Sequence, residues 1–452
     1  MNTSTIAALA TPPGKGGLAV IRISGPQAVH ILSKLFVPAG KKTAFADRSM
    51  MYGHIVINGQ PVDECMTVVM RAPSSYTRED VVEIQVHGGE QVVTSILHAV
   101  FNCGAEAAKP GEFTRRAFEN GRIDLSQAEA VMQLISATGQ QAADAALRQL
   151  QGGTLRFVKD AQKQLISLMA GVTAAIDYPE EIEEDEAVGV IAPDLLKLSD
   201  KLLAACDERG AAVLEEGLRV VICGKPNAGK SSLLNALLME ERAIVTDIPG
   251  TTRDTVEGSI QMDGIRIHLK DTAGIRDSKE TVEQIGVGRA REAIKSADLR
   301  LMVLDIGQEP DLEDEAILQL IAGMDNLYIF NKSDLPEHPG FANWLLKQQL
   351  PEHVTMTLSA QSGIGLDALR ARLRAAAGNP GQNTLTLVRH MKLARKAAEA
   401  LRRAAQAMQN SLPLDLCAVD LNEALALLGE ITGDNFSEAL LDEVFATFCV
   451  GK

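Results

Sequence analysis

Cysteine is scarce in this chain, with six in 452 residues, too sparse for a disulfide framework, and no two stand at the CxxC or CxxxxC spacings that suit zinc. The eight histidines are equally scattered, and no HExxH or HxxxH pair sets two imidazoles on one helical face. A cage of His and Cys around a metal is therefore not expected. Long apolar runs are also missing: nowhere do ~18 apolar residues follow one another without charges. The opening MNTSTIAALATPPGKGG has no basic stretch before an apolar core. Neither a membrane span nor a secretory leader is expected, which points to a reducing, cytoplasmic compartment. Positive charge is in deficit, with 44 Lys and Arg against 59 Asp and Glu, a net of -15. That balance argues against a protein that coats nucleic acid with its whole surface, so any RNA contact is local or shared with a partner.

What remains is an ordinary globular composition, 46% hydrophobic and 23% charged, long enough at roughly 100 to 200 residues per domain for two to four folding units. Residues 1–118 read as strands broken by Gly, Pro and Ser: Leu18 to Ile23, Met51 to Ile57, Glu64 to Arg71 and Val81 to His87, an α+β domain. Residues 119–215 carry Ala, Leu, Gln and Lys at helical spacing, a first helical part. Within it Asp177 to Glu186 is strongly acidic and reads as a solvated turn between two helices. Residues 216–378 alternate short apolar runs with Gly-rich turns and helical segments (LRVVIC, IRIHLKD, LRLMVLD, NLYIFNK, VTMTLSA), the rhythm of a doubly wound parallel sheet. Residues 379–452 return to Ala/Leu/Glu-rich helix, so the α/β unit reads as inserted between two halves of one helical domain. The fold class expected is thus multidomain α+β and α/β.

The inserted unit carries the chemistry. Gly224 to Ser231 matches GxxxxGKS directly after one apolar run and before the helical SLLNALL. Such glycines let Asn227, Ala228 and Gly229 bring their backbone to a phosphate chain; Lys230 can reach the β/γ-phosphates and the Ser231 hydroxyl can ligate Mg²⁺, with Ser232 following. Asp271-Thr272-Ala273-Gly274 ends another run, where an Asp holds the magnesium shell and a Gly amide senses the γ-phosphate. Between them, in Gly250-Thr251-Thr252-Arg253-Asp254, a threonine hydroxyl can complete that shell. Asn331-Lys332-Ser333-Asp334 ends the run LYIF, and the Asp334 carboxylate can accept from both guanine N1–H and N2–H₂, which adenine does not offer. Ser359-Ala360 closes the run VTMTL, where a backbone amide can bind guanine O6. Four motifs in this order make a GTP site.

The means of hydrolysis is less direct. Ras-type GTPases orient the attacking water with a Gln after the DxxG glycine, and that position here is Ile275. The segment after Gly274 offers Asp277, Glu280 and Glu283 instead. Arg253 and Arg276 are either cis arginine fingers or surface charges, and Asn227 either caps its loop or ligates a second cation. A GTP-binding scaffold without turnover is the contrary reading, as is a ribosome-assembly GTPase. The latter requires a second P-loop or a basic RNA-binding appendage, and the sequence shows neither beyond the modest cluster Arg389, Lys392, Arg395, Lys396, Arg402 and Arg403.

These motifs, together with ATPPGKGG, VIRISG, PGEFTRRAF, GKPNAGKSSLLN, TDIPGTTRD and the terminal FCVGK, resemble the MnmE/TrmE family of tRNA modification GTPases along the whole chain. The resemblance implies a homodimer working with the FAD protein MnmG in a heterotetrameric or larger complex. Together they place an aminomethyl-type (carboxymethylaminomethyl) group on carbon 5 of the wobble uridine of certain tRNAs. The one-carbon unit is implied to come from a 5-formyl- or methylene-tetrahydrofolate derivative. The resemblance also implies K⁺ in place of an arginine finger, with Asn227, Thr246, Ile248 and Thr251 as ligands. It implies Mg²⁺ on Ser231 and Thr252, with Asp247, Pro249 and Gly250 in the same loop, and Glu283 as the catalytic acid orienting water indirectly. A folate site is implied at Arg22, Glu79, Arg122 and Lys452. Because Lys452 ends the sequence, its tail is expected either to fold back on the N-terminal domain or to cross a dimer. Cys449 either joins the modification chemistry or is a buried structural cysteine after Phe448. Cys449 to Lys452 has the outline of a lipidation box, but Gly before a basic last residue and the lack of a polybasic lead-in reject it.

Overall fold

The computed structural model describes residues 4–40, 45–240, 257–271, 291–378 and 384–452. Its chain forms two compact units, each assembled from separated stretches: residues 1–132, 149–200 and 396–452 in one, and residues 133–148 and 201–395 in the other. These borders fall inside helical segments.

The first unit holds a seven-stranded sheet of β1 (Ile6–Leu9), β2 (Gly16–Ser24), β3 (Phe36–Pro38), β4 (Met51–Ile57), β5 (Gln60–Met70), β6 (Val81–Gly88) and β7 (Glu106–Ala107), in the order β3-β4-β5-β6-β2-β1-β7. All pairings are antiparallel except β1 with β7. Along β6, Val82, Ile84 and Val86 are buried while Glu83, Gln85 and His87 are not, the period of two that gives a sheet one wet face. Helices Ala28–Leu35 and Glu90–Asn102 cover the dry face, placing Ile31, Leu32, Ile96 and Val100 against Ile21, Ile23, Ile55 and Ile84. β4 and β5 are joined by Asn58 and Gly59 at φ 50 and 78, the left-handed pair that a two-residue hairpin requires. The four expected strands are all present; β1, β3, β7 and both helices add to them.

Helices complete this unit. Gly153–Asp177 lies along Leu414–Thr432, and Glu438–Ala446 packs on Glu112–Glu119. Helix Gly153–Asp177 ends where the next, Glu184–Ala204, has yet to begin, and the acidic residues Glu180, Glu181 and Glu183 between them are exposed. The solvated turn is where the charges placed it.

The second unit is built on a six-stranded sheet: β8 (Leu218–Cys223), β9 (Glu257–Met262), β10 (Ile265–Asp271), β11 (Leu299–Asp305), β12 (Asn326–Asn331) and β13 (Thr355–Thr357), in the order β13-β12-β11-β8-β10-β9. Every residue of β11 is buried, as expected of a central parallel strand covered on both faces. β10 buries alternate residues. The chain leaves β8 toward β10 but leaves β11 toward β12, so the strand order reverses between β8 and β11, and the crevice beyond the carboxyl ends of strands at such a switch is where α/β sheets bind ligands. The sheet is not wholly parallel, because β9 pairs antiparallel with β10 at the edge. Their turn, Asp263-Gly264, again has positive φ at both residues, 48 and 79. It is gripped within the same unit: Gln141 N–H donates to Gly264 O at 3.0 Å and Gln141 Nε2 donates to Asp263 O at 2.8 Å.

Candidate functional site

In the second unit, the loop between β8 and helix Lys230–Glu240 turns on two glycines with no room for a side chain. A Cβ on Gly224 (φ +143) would stand 2.4 Å from Val303 O, and one on Gly229 (φ +97) would stand 2.1 Å from Asn331 Nδ2. Asn227 between them takes φ 63, a left-handed conformation that asparagine tolerates. The helix that follows points its free N–H groups and positive dipole end at this loop, a ready anion site.

Lys230 is buried and its ammonium donates to Lys225 O at 2.7 Å. Ser231 Oγ donates to Oδ2 of the fully buried Asp271 at 2.8 Å. A serine of the phosphate loop and an aspartate at a strand end, already at hydrogen-bond distance, are the hard oxygen donors that fit Mg²⁺. On the base side, the buried Asn331 staples two segments together. Its Nδ2 donates to Ala228 O at 2.9 Å and its Oδ1 accepts from Ala360 N at 3.0 Å. Lys332, at φ 65, donates to Asp305 Oδ2 at 2.6 Å, and Asp334 is exposed two residues on.

The Ser359 and Ala360 amides, expected to offer a donor to guanine O6, are both engaged: Ser359 N donates to Ile364 O at 2.9 Å and Ala360 N to Asn331 Oδ1. A base oxygen would have to share one of them. Thr246, Asp247, Ile248, Pro249, Gly250, Thr251, Thr252, Thr272, Ala273, Gly274 and Glu283 lie outside the described residues, as do Arg253, Arg276, Asp277 and Glu280.

A second cluster forms in the first unit, where β2, β6, helix Glu112–Glu119 and the last residues meet. Glu79 accepts from Ser24 Oγ at 2.7 Å and from Arg116 at 3.2 Å. Arg116 is 1% exposed and also reaches Glu112, Ser4 O and Ser4 Oγ. Arg122 is exposed, with its guanidinium 4.7 Å from the Tyr76 ring centre, within cation–π range.

Arg22 departs from the simple reading of a free cation for an acidic ligand. Its Nε donates to Glu83 Oε1 at 2.9 Å and its Nη1 donates to Gly451 O at 3.1 Å. The tail therefore folds back in cis. Gly451 is buried at φ +95, where a Cβ would stand 2.3 Å from Leu9 O, and this sets the half-buried Lys452 beside the cluster. Cys449 is exposed, which rules out the buried structural role that Phe448, itself buried, had suggested. The sequence did not single out Tyr76, Ser24 or Arg116. In the run SYTRED, which includes Glu79, the aromatic among charges was the available signal.

Three of the six residues of the expected basic cluster, on helix Val388–Gln409, are in ion pairs: Arg395 with Glu208, Arg402 with Asp200, and Arg403 with Asp420 and Glu423. Among the described residues, no helix is long and apolar enough to cross a membrane.

Two family descriptions match this chain: the GTP-binding protein TrmE N-terminus over residues 5–122 and the MnmE helical domain over residues 125–449. The tRNA modification GTPase MnmE of Listeria innocua is 42% identical over 460 residues, covering 100% of each chain. That of Geobacillus thermodenitrificans is 43% identical over 465 residues, covering 99% of each. The chain belongs to the MnmE family of tRNA modification GTPases. As an MnmE-family protein with the phosphate loop described above, it is a GTP hydrolase. Solved structures similar to it include Era of Aquifex aeolicus bound to GDP.AlF4-, 25% identical over 40% of this chain and 66% of that one with a TM-score of 0.29. The G domain of the T. maritima FeoB iron transporter is 23% identical over 35% of this chain and 98% of that one, with a TM-score of 0.26.

Proposed function

We propose that this chain hydrolyses GTP in the cytoplasm as a homodimer joined to the FAD protein MnmG in a heterotetrameric or larger complex. The complex adds a carboxymethylaminomethyl-type group to carbon 5 of the wobble uridine of certain tRNAs. The observation that carries the reading is the meeting of Lys230, Ser231, Asp271 and Asn331 around one loop in a chain of this family.

Each residue has a definable task. Lys230 places a positive charge against the β/γ-phosphates, where negative charge grows as the terminal phosphoryl departs. Ser231, Asp271 and Thr252 hold Mg²⁺, which neutralises that charge further when bound. Asn227, Thr246, Ile248 and Thr251 hold K⁺, a single positive charge in the place of an arginine finger. Glu283 orients the attacking water through an intermediary. Asp334 selects guanine, because its carboxylate accepts from both guanine N1–H and N2–H₂, a donor pair that adenine lacks. Asn331 keeps the phosphate loop and the Ser359-Ala360 segment in register around the base.

The first-unit cluster suits a tetrahydrofolate derivative, which supplies the one-carbon unit when bound. Glu79 accepts from the pterin amino and N–H groups, Tyr76 offers an aromatic face, and Arg122 and Lys452 meet the glutamate tail. Arg22 acts mainly by holding the tail through Gly451 O. Cys449, exposed two residues before Gly451, takes part in the modification chemistry.

Two measurements test the reading. Cells lacking the protein should lose 5-substituted wobble uridine from their tRNA, and an unchanged nucleoside content would refute the tRNA role. GTP turnover by the purified chain should be fast in KCl and fall sharply in NaCl; equal rates would refute Asn227 as an ion ligand.

A further inference from the structure

The phosphate loop has an anchor that its motif does not disclose. We propose that Lys225 is a positioning residue for Lys230, held in place by the acidic first turn of helix Leu312–Ile321. The main chain of Lys225 faces the site: its carbonyl accepts from Lys230 Nζ at 2.7 Å and from Ala228 N at 3.4 Å. Its side chain runs the other way, with Nζ 2.9 Å from Asp314 Oδ2 and 3.4 Å from Asp311 Oδ2. One residue thus joins the acceptor of the phosphate-binding ammonium to an element outside the loop.

The acidic turn is itself rigid. Asp311 caps the helix, accepting from the amides of Glu313 and Asp314, while Asp314 Oδ2 accepts from Asp311 N at 3.1 Å. These reciprocal bonds form a capping box. The side chain of Asp314 is 1% exposed and that of Lys225 is 11% exposed. The second oxygen of Asp314, Oδ1, is buried with no hydrogen-bond partner among the described residues. A carboxylate so placed holds its cation firmly, since losing either partner of a buried pair leaves an uncompensated charge. Burial pulls the Lys225 pKa down, but the hydrogen bond to Asp314 and the charges of both aspartates outweigh it and hold the ammonium above the ordinary lysine range. The anchor is therefore charged throughout the neutral range.

A residue that merely glued two elements together would leave the kinetics of GTP alone. An anchor for the carbonyl under Lys230 acts on phosphate binding, in GTP and GDP alike, and so raises KM more than it lowers kcat. In the full-length protein with Mg²⁺ and KCl, Lys225→Gln is expected to raise KM for GTP and the dissociation constant of a fluorescent GDP about tenfold, equivalent to about 1.4 kcal/mol. Its kcat should stay within about threefold of the parent. Lys225→Arg, which keeps the cation, is expected to restore both constants. A lowered melting temperature with unchanged KM and GDP affinity would overturn the proposal, as would a Lys225→Arg variant as impaired as Lys225→Gln. If Lys225→Gln does not fold, Asp311→Ser decides. It keeps a hydroxyl cap on the helix but removes one of the two charges on Lys225, so a raised KM supports the anchor and an unchanged KM refutes it.

Discussion

Replacing Gly229 with alanine tests the nucleotide site at its tightest point. The added methyl would stand 2.1 Å from Asn331 Nδ2, at a residue with φ +97, so two costs arise together. A non-glycine residue held in that backbone region carries about 1–3 kcal/mol of strain. Asn331 must also turn away, and because its amide is planar, moving Nδ2 from Ala228 O at 2.9 Å also moves Oδ1 from Ala360 N at 3.0 Å. Each of those bonds contributes about 0.5–1.5 kcal/mol net, which brings the whole to about 2–6 kcal/mol. Both bonds are at the nucleotide, so the loss should appear first as weaker GDP binding. The low end already corresponds to roughly 30-fold in affinity. Titration with a fluorescent GDP measures this, and Gly323→Ala is the control: Gly323 has φ +75, but an added methyl there would meet nothing within 4 Å, so that variant should melt lower yet bind GDP normally. If Gly229→Ala bound GDP within threefold of the parent, the staple would not hold the loop as argued.

Asp334→Asn, at an exposed position, should lose preference for GTP and gain it for xanthosine triphosphate, whose C2 carbonyl accepts from the new amide where guanine donates; competition assays read the switch. Among the cysteines, burial pushes the Cys65 and Cys223 thiols up to about 12, while Cys449 is exposed. Brief iodoacetamide treatment at pH 8 followed by peptide mapping should therefore label Cys449 and spare the other two, and modification of Cys223 in the folded protein would contradict its placement. His87 Nδ1 lies 2.7 Å from Asp63 Oδ1, and that hydrogen bond raises the histidine pKa. A raised value means that the pair stabilises the fold below the ordinary histidine pKa and that this contribution is lost as pH rises through the folded one. A titration followed by NMR should give a higher His87 pKa in the parent than in Asp63→Asn.

The sequence disclosed most where structure is local. β8, β10 and β11 coincide with LRVVIC, IRIHLKD and LRLMVLD because an unbroken or alternating apolar run carries the strand signal in consecutive residues. The phosphate loop was legible for the same reason, since its eight positions follow one another. β9 escaped notice because EGSIQM is short and mostly polar, and it becomes a strand only by pairing with β10 across the Asp263-Gly264 turn. Charges misled in both directions. Arg116 and Lys225 look like surface residues until the fold brings Glu79, Glu112 and Asp314 to them, whereas Arg395, Arg402 and Arg403 of helix Val388–Gln409 look like part of a basic patch until Glu208, Asp200, Asp420 and Glu423 pair with them. Arg22 lies near Tyr76 and Phe113 in the cluster, but its salt bridge to Glu83, sixty-one positions along the chain, had no local trace.

The β9–β10 hairpin has a mechanical consequence. Glu257, where β9 starts, follows Thr252 and Arg253 in the chain, and Asp271, where β10 ends, begins the DTAG motif. One end of this ribbon is thus tied covalently to both phosphate-side segments. Its far end, the Asp263-Gly264 turn, is gripped by Gln141 of the helical stretch 133–148. With seven residues in β10, at about 3.3 Å each the ribbon is a stiff rod roughly 20 Å long. Because β10 is also paired with β8 from Ile267 to Asp271, the ribbon is held in the sheet, and strain at its nucleotide end is carried along a hydrogen-bonded strand to the turn that Gln141 holds. The hairpin is in that sense a strut, joining the start of the DTAG motif to the glycine turn under Gln141.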